Sequence, residues 1–533
     1  MHLVSDFVPT NNQQKAINSI INNLGKGQNQ TLKGITGSGK TFVLANVISK
    51  SKNASIVLAP NKILAYQLYQ ELLKFFPNDF VGYYVSNYDV YIPAFYSAVT
   101  NRKEDAIVVV NQKNKELRYS VKDYLALSEK AIIVCSTTSL FPTFKDDIIS
   151  TVIENREYLF DRLKNEKSKQ VNSFIKEGKI EEATLLEAQI DHTINMMIRE
   201  PEYFNSNMIA LLNEKLGDFY LFDYFKDSKP DLYIDESHLS LIQINAMSLS
   251  NNNRLKLLIN KGYYINNVLK DNILNFNQVK NKVNNIIFVS ATPSKFELET
   301  SNNIVELITR PNNIPDPKII QKPRSYFGSK QMINDIKTEE GTIFINCFSR
   351  KSVNILGQKL KNLGIEFETI HYKIKNDKRK KILNDLREGK IKVILGINML
   401  REGIDIHQCS LVIIEEADGG TFLRTKSCLI QMSGRAARNK NGKIFMCYDK
   451  PNECIVDCIN EINYRRKIQL NEDYIPLIFE KKLNILIRKG DIIKLKNDDI
   501  SYQIINYYSD NRITINSGNQ LQEISKEQIE CVL

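Results

Sequence analysis

The chain has 533 residues, 42% of them apolar and 25% charged, with 22 glycines, 14 prolines and no tryptophan. That balance excludes a disordered or collagen-like chain, the length exceeds what one core can serve and predicts three or four domains, and no apolar run approaches the roughly 20 residues that span a bilayer. The formal net charge of +11 favours a polyanionic partner, although abundant Asn, Ile and Lys suggest an AT-rich coding sequence that accounts for part of it.

The amino terminus, Met1 to Pro9, has no basic stretch followed by an apolar core, so a cytoplasmic setting is expected rather than secretion. Thr31-Leu32-Lys33 then reads as a strand entering Gly34-Ile35-Thr36-Gly37-Ser38-Gly39-Lys40-Thr41, a complete phosphate-binding loop, and Phe42 to Ile48 leaves it as a helix. In such a loop Gly34, Thr36, Gly37, Ser38 and Gly39 turn backbone N–H groups toward phosphate at a helix N-terminus. Lys40 reaches the β- and γ-phosphates and the Thr41 hydroxyl serves Mg²⁺. The chemistry implied is binding and hydrolysis of a nucleoside triphosphate, ATP, with Mg²⁺.

Ser55 to Ala59 reads as a buried strand, Lys62 to Phe76 as a helix and Lys130 to Cys135 as another strand, an alternation that argues for a parallel sheet covered by helices. Between them Tyr88, Tyr91 and Tyr96 precede a basic stretch containing Arg102 and Lys103. Stacking faces beside phosphate-neutralising charges suit a single nucleic-acid strand, each ring being worth about 1–3 kcal/mol. The alternative reading is of core tyrosines beneath a solvated loop. Val152 to Leu216 is charged and helix-periodic and is read as an insertion.

The sheet resumes at Leu232-Tyr233-Ile234, which puts Asp235 and Glu236 at a strand's carboxyl end, where α/β sheets hold their ligands. Asp235 is expected to hold Mg²⁺ and Glu236 to orient and deprotonate the attacking water. Asn285 to Pro293 adds a further strand, and Arg310 to Pro317 has the proline density of a linker. A second α/β set follows, with strands near Thr342–Asn346, Ile391–Leu395 and Leu411–Ile414. Gly396 to Asp405 is a polar strand end. Arg435 and Arg438, three residues apart in Gln431 to Asn439, have the spacing of arginine fingers on one helical turn. Eight cysteines show no paired zinc spacing, and Cys454 with Cys458 reads as core. Beyond Tyr474 short β-rich runs form a small module.

In this order the motifs resemble a superfamily-two helicase core and, more narrowly, the UvrB family, the damage-verifying subunits of bacterial nucleotide excision repair. Leu58 to Tyr69, Phe75-Phe76-Pro77, Gly396 to Asp405, Phe422 to Ser427 and Gln431 to Asn439 carry the similarity. The resemblance implies an α/β fold of two RecA-like P-loop NTPase domains, 1–309 and 310–475, with a DNA-hairpin candidate at about 86–121, while the sequence pattern itself gives the helical insertion at about 152–216 and the β-rich module at 476–533. It further implies that Phe7 stacks on adenine, that Gln13 reads its edge, that Asp405 belongs with the nucleotide-site residues, and that Lys40, Thr41, Asp235 and Glu236 run hydrolysis with Arg435 and Arg438.

Three departures stand out. Asn87 and Val90 occupy positions where the family pattern usually has tyrosine, and the chain runs from Cys135–Leu140 to the helical stretch where the family inserts the domain that engages UvrA. The terminal hairpin that engages UvrC is replaced by the β-rich module. The expectation is an ATP-dependent, DNA-binding helicase or translocase of UvrB type without its usual repair-partner surfaces. A nucleic-acid remodelling helicase of a mobile element, on DNA or RNA, and an ATP-gated DNA clamp stay open beside it.

Overall fold

The computed structural model describes residues 1–86, 88–128, 130–141, 148–217, 219–225, 228–270, 273–371, 374, 376–397, 409–420, 423–471, 478–480, 485–487, 489, 491–496, 501–507, 512–517 and 520–532. Contacts divide the chain into two compact units, Met1–Leu32 with Lys40–Val305, and Lys33–Gly39 with Glu306–Leu533. The division falls at 305/306 rather than 309/310, and the loop 33–39 groups with the second unit because Arg310, Gly434 and Arg438 pack around it.

The first sheet has seven strands in the order Ser301–Leu307, Asn29–Gly34, Ile286–Ser290, Asp231–Asp235, Ser55–Ala59, Ile132–Ser136, Val81–Tyr84. The five from Ile286–Ser290 to Val81–Tyr84 pair in parallel. Ser55–Ala59, Ile132–Ser136 and Ile286–Ser290 are buried along their whole length, as strands covered on both faces must be. Ile56, Leu58, Ile133, Ile234 and Phe288 form the core on one side.

Helices Ile148–Glu154, Arg156–Lys176, Ile180–Arg199 and Ser206–Leu216 make the helical insertion. Leu159 with Leu163 and Leu186 with Ile190, each pair four apart, close a separate core against Leu255 and Leu258 of helix Ser237–Asn260. Among the described residues no helix is long and apolar enough to cross a membrane.

Tyr88–Ile92 pairs antiparallel with Ile107–Val110, and Phe95–Ser97 with Arg102–Glu104, so a two-part hairpin projects after the edge strand. Asn87 lies outside the described residues. The hairpin stops at Val110, short of the expected 121. Gln112–Leu127 is a helix instead, capped by the Asn111 side chain, which accepts from the Asn114 N–H at 2.9 Å, and buried through Val121 and Leu125.

The second unit carries a six-stranded, all-parallel sheet in the order Lys318–Lys322, Lys443–Cys447, Cys409–Ile414, Thr342–Cys347, Val393–Ile397, Phe367–Ile370. A five-stranded antiparallel sheet, Gln520–Ser525, Arg512–Ser517, Ser501–Tyr507, Ile492–Leu495, Ile529–Val532, follows around Ile493, Ile504, Ile513 and Ile515. Cys458 is buried and Cys454 half-buried, and no metal-holding cluster of three ligands occurs among the described residues.

Gly262 ends the turn after Ser237–Asn260 with φ +75°, and a Cβ there would stand 2.3 Å from the Glu182 carbonyl oxygen. Left-handed strain and this close approach together predict that Gly262→Ala costs about 2–5 kcal/mol. Urea unfolding of the variant checks it, and a loss below about 1 kcal/mol would show that the turn relaxes freely.

Candidate nucleotide-hydrolysis site

The loop begins where strand Asn29–Gly34 ends, and helix Lys40–Lys50 starts within its last two residues. Gly37 and Gly39 have φ of +79° and +82°, values that side-chain-bearing residues rarely adopt, so the two glycines are what let the chain wind into this loop. Ser38 is buried and its Oγ donates to the Ile35 carbonyl at 2.8 Å, holding the turn from within. Lys40 and Thr41 occupy the first helical turn, where the dipole favours an anion.

One strand further across the sheet, beyond Ile286–Ser290, Asp231–Asp235 delivers Asp235 at its carboxyl end. Asp235 is pushed up to about 7, by burial first and by the Glu236 charge second, with the Lys40 ammonium opposing both. Lys40 and Asp235 are therefore brought together. Glu236 has φ 41° and ψ 49°, a left-handed conformation that costs a non-glycine residue about 1–2 kcal/mol. Its Oε2 is buried without a hydrogen-bond partner and lies 3.6 Å from His238 Nδ1. That ring nitrogen meets Ser290 Oγ at 2.8 Å, and burial lowers the histidine's pKa, so the ring favours its neutral form.

Phe7 is 73% exposed and meets Phe42 of the loop's helix edge-on at 6.3 Å, with Phe42 in turn against Phe75 at 5.8 Å. Gln13 is buried, and its Oε1 accepts from Thr10 N–H at 3.0 Å in a capping box on helix Asn11–Ile21. The carboxamide oxygen is thus committed to the helix start.

In the second unit, helix Lys426–Ser433 stops before the arginines, and Gly434–Ala436 is a tight 3₁₀ turn. The expectation of one α-helical turn is corrected: Gly434 packs so closely on the loop that a Cβ would stand 3.0 Å from Thr36 Oγ1. Arg435 and Arg438 are half-buried, and the Arg438 stem passes Gly37, 3.9 Å from where a Cβ would be. Asp405 lies outside the described residues. Sequence reasoning missed Arg310, whose Nε donates to the Thr36 carbonyl at 2.8 Å. An arginine and Asp316 bracketing a proline-rich run were the available signal.

On the hairpin, Tyr88 and Tyr91 belong to its first strand. Tyr96 is half-buried against Tyr263, 6.4 Å between centroids, with the Lys261 ammonium 5.3 Å over its ring. Lys103 pairs with Asp105 at 3.2 Å and lies over Tyr264, while Arg102 is exposed beside Glu104.

Residues 6–295 match the family described as type III restriction enzyme, res subunit, and residues 329–440 the helicase conserved C-terminal domain. The UvrABC system protein B of Clostridium botulinum is 31% identical over 622 aligned positions, covering 95% of this chain and 93% of the relative. The chain belongs to the UvrB family. The Streptococcus thermophilus member is 29% identical over 96% of this chain and 92% of its own length. Among solved structures, RecG bound to a three-way DNA junction matches with a TM-score of 0.45 at 15% identity, over 88% of this chain and 46% of that one. Yeast Dbp5 bound to RNA and ADP BeF3 matches with a TM-score of 0.43 at 15% identity, over 86% and 88%. The two parallel-sheet domains are accordingly the RecA-like pair of a superfamily-two helicase core, and ATP hydrolysis belongs to that core.

An acid whose pKa rises in the fold weakens the fold as pH climbs from its ordinary value, 3.8, toward about 7. In magnesium- and nucleotide-free buffer, Asp235→Asn is therefore expected to melt above the parent protein. The difference should widen from about pH 5 to pH 7 and level off above that. Melting curves across that range check the sign, and a variant that melts below its parent at the upper end contradicts the assignment.

Proposed function

We propose that this UvrB-family chain is an ATP-driven DNA motor in which Lys40 binds the β- and γ-phosphates, Glu236 activates water, and Arg435 and Arg438 stabilise charge on the transferring phosphoryl group. The observation that carries the reading is Glu236, a carboxylate with a left-handed backbone and an unpartnered buried oxygen, next to Asp235 and to the lysine-bearing loop. Strain and an unsatisfied acceptor at one residue are what a poised base costs.

Thr41 and Asp235 fit Mg²⁺. Both offer hard oxygen donors, and a carboxylate that holds a proton up to about 7 has equal reason to take a cation. Bound there with the substrate phosphates, the ion neutralises their charge. Phe7, exposed beside Phe42, suits stacking on the base, and Gln13 is assigned to the base edge by the family motif. Asp405 is assigned to the same site by its motif.

DNA is the polymer on which the motor acts, with the hairpin carrying Tyr88, Tyr91, Tyr96, Arg102 and Lys103 as its strand-engaging element. The exposed Ile92, Phe95, Ile107 and Val109 support a contact role for this projection. A UvrA contact is reduced or lost. The alignment with the clostridial relative is longer than this chain, so the relative carries stretches with no counterpart here.

DNA-stimulated ATP hydrolysis with displacement of a short strand tests the motor. Lys40→Ala should retain less than about a tenth of parental turnover while remaining folded, because the lysine answers phosphate charge rather than core packing. Retention above that level removes the loop from the mechanism. Arg435→Ala and Arg438→Ala should each lower kcat by about 10³-fold with a much smaller loss of nucleotide affinity. Equal losses would make them ground-state binders. DNA binding with no strand displacement would favour the clamp.

A further inference from the structure

The segment that reads as a linker is pinned. Arg310 and Asp316 form an ion pair whose side chains are 1% and 6% exposed. Arg310 Nη1 also donates to the Ile314 carbonyl at 2.8 Å, and Nε to the carbonyl of Thr36 in the phosphate loop at 2.8 Å. Helix Glu453–Leu470 grips the same segment from the other side: Gln469 Oε1 accepts from Asp316 N–H at 2.6 Å, Gln469 Nε2 donates to the Ile308 carbonyl at 2.8 Å, and Arg466 donates to the Asp316 carbonyl. The helix also reaches the strand entering the loop, with Glu461 3.2 Å from Lys33 Nζ. All these groups lie within the second contact unit.

The pair is an inefficient way to hold a chain segment. Asp316 Oδ2 is buried without a hydrogen-bond partner, and a buried ion pair with an unsatisfied oxygen seldom beats apolar side chains of similar volume. What it does supply is direction. A trans peptide is planar, with its carbonyl and N–H on opposite sides. Holding the Thr36 carbonyl against Arg310 therefore fixes the Gly37 N–H on the far side of that peptide, and Gly37 itself, with φ +79°, could otherwise swing freely.

We infer that Arg310 is a positioning residue for phosphoryl transfer: by holding the Thr36 carbonyl it orients the Gly37 N–H of the phosphate loop, and it links that orientation to helix Glu453–Leu470 through Asp316. The inference rests on reading residues 34–41 as the phosphate loop.

Two variants of the full chain test it. Arg310→Lys keeps a cation for Asp316 but has no planar fork with which to reach Thr36, Ile314 and Asp316 together. Arg310→Met combined with Asp316→Asn removes both charges, so no buried charge is stranded. In both, kcat for ATP hydrolysis should fall about tenfold or more with KM changed less than about threefold, the pattern of a donor that matures in the transition state. The double variant should melt close to the parent. A kcat within about twofold of parental in the folded double variant overturns the inference, as does a loss seen only in Arg310→Lys and tracking its loss of folded protein. Lys40→Ala, run alongside, separates the two claims: its retention of activity overturns the loop reading, whereas its inactivity beside unaffected Arg310 variants overturns only the role given to Arg310.

Discussion

Two carboxylates at consecutive positions, Asp235 and Glu236, meet at the end of a buried strand, and their repulsion in a desolvated setting is the constraint to which the rest of the first unit answers. Lys40 offsets part of it from the loop's helix, and His238, kept toward its neutral form by burial, adds no full charge of its own. The strand order puts Ile286–Ser290, parallel to the carboxylate strand, between it and the loop strand, and the Lys40 ammonium acts on the Asp235 carboxyl across that gap. Fully buried apolar runs are what keep those strand ends rigid: Ile286, Phe288 and Ile234 have nowhere else to go. The fold thus uses apolar burial to hold two like charges close together at that strand end.

The parts legible from sequence were those whose chemistry is local. Phosphate binding needs glycines, a lysine and a hydroxyl in consecutive positions, so Gly34 to Thr41 announces itself, and the apolar run Leu232–Ile234 ending in two acids does the same. Where the outcome depends on partners far along the chain, sequence reasoning failed in characteristic ways. Arg310 and Thr36 are 274 residues apart, and prolines around Arg310 suggested a free linker although the backbone there is tied on both sides. The arginine pair was assigned to a helix from its spacing, yet Gly434 allows an approach to Thr36 that ends the helix and tightens the turn. At Gln112 the charged residues looked like hairpin, while Val121 and Leu125, four apart, had already set a helical stripe.

The distal half of the hairpin is tied to its neighbours. Tyr96 was read as a stacking ring, but its face is occupied by Lys261 and its flank by Tyr263 of the helical core, and Arg254 Nη1 donates to the Ala94 carbonyl at 2.7 Å from helix Ser237–Asn260. These contacts fasten the distal half of the projection, Phe95–Ser97 with Arg102–Glu104, to helix Ser237–Asn260 and the turn after it. Lys103 over Tyr264 adds a further tie. A ring and a lysine engaged in this way hold the projection in place, a task that comes before any contact with a polymer.

What the paired strands leave open is a different surface. Ile92 stands opposite Ile107 across the ladder, and Val109, two residues on, shares the face with Ile107. All three are exposed. β-Branched side chains favour an extended ribbon, so this face stabilises the strand pairing even where it buries little. Exposed apolar surface on a ribbon held firmly at its other end is costly in water and tolerable where a second surface covers it for part of the working cycle. Ile92, Ile107 and Val109 thus make a flat, stiff apolar face on the ribbon, with Arg102 exposed on the tip strand beyond it. What the hairpin leaves exposed is therefore an aliphatic face, while Tyr96 is half-buried against its neighbours, an arrangement its tyrosine-rich sequence does not suggest.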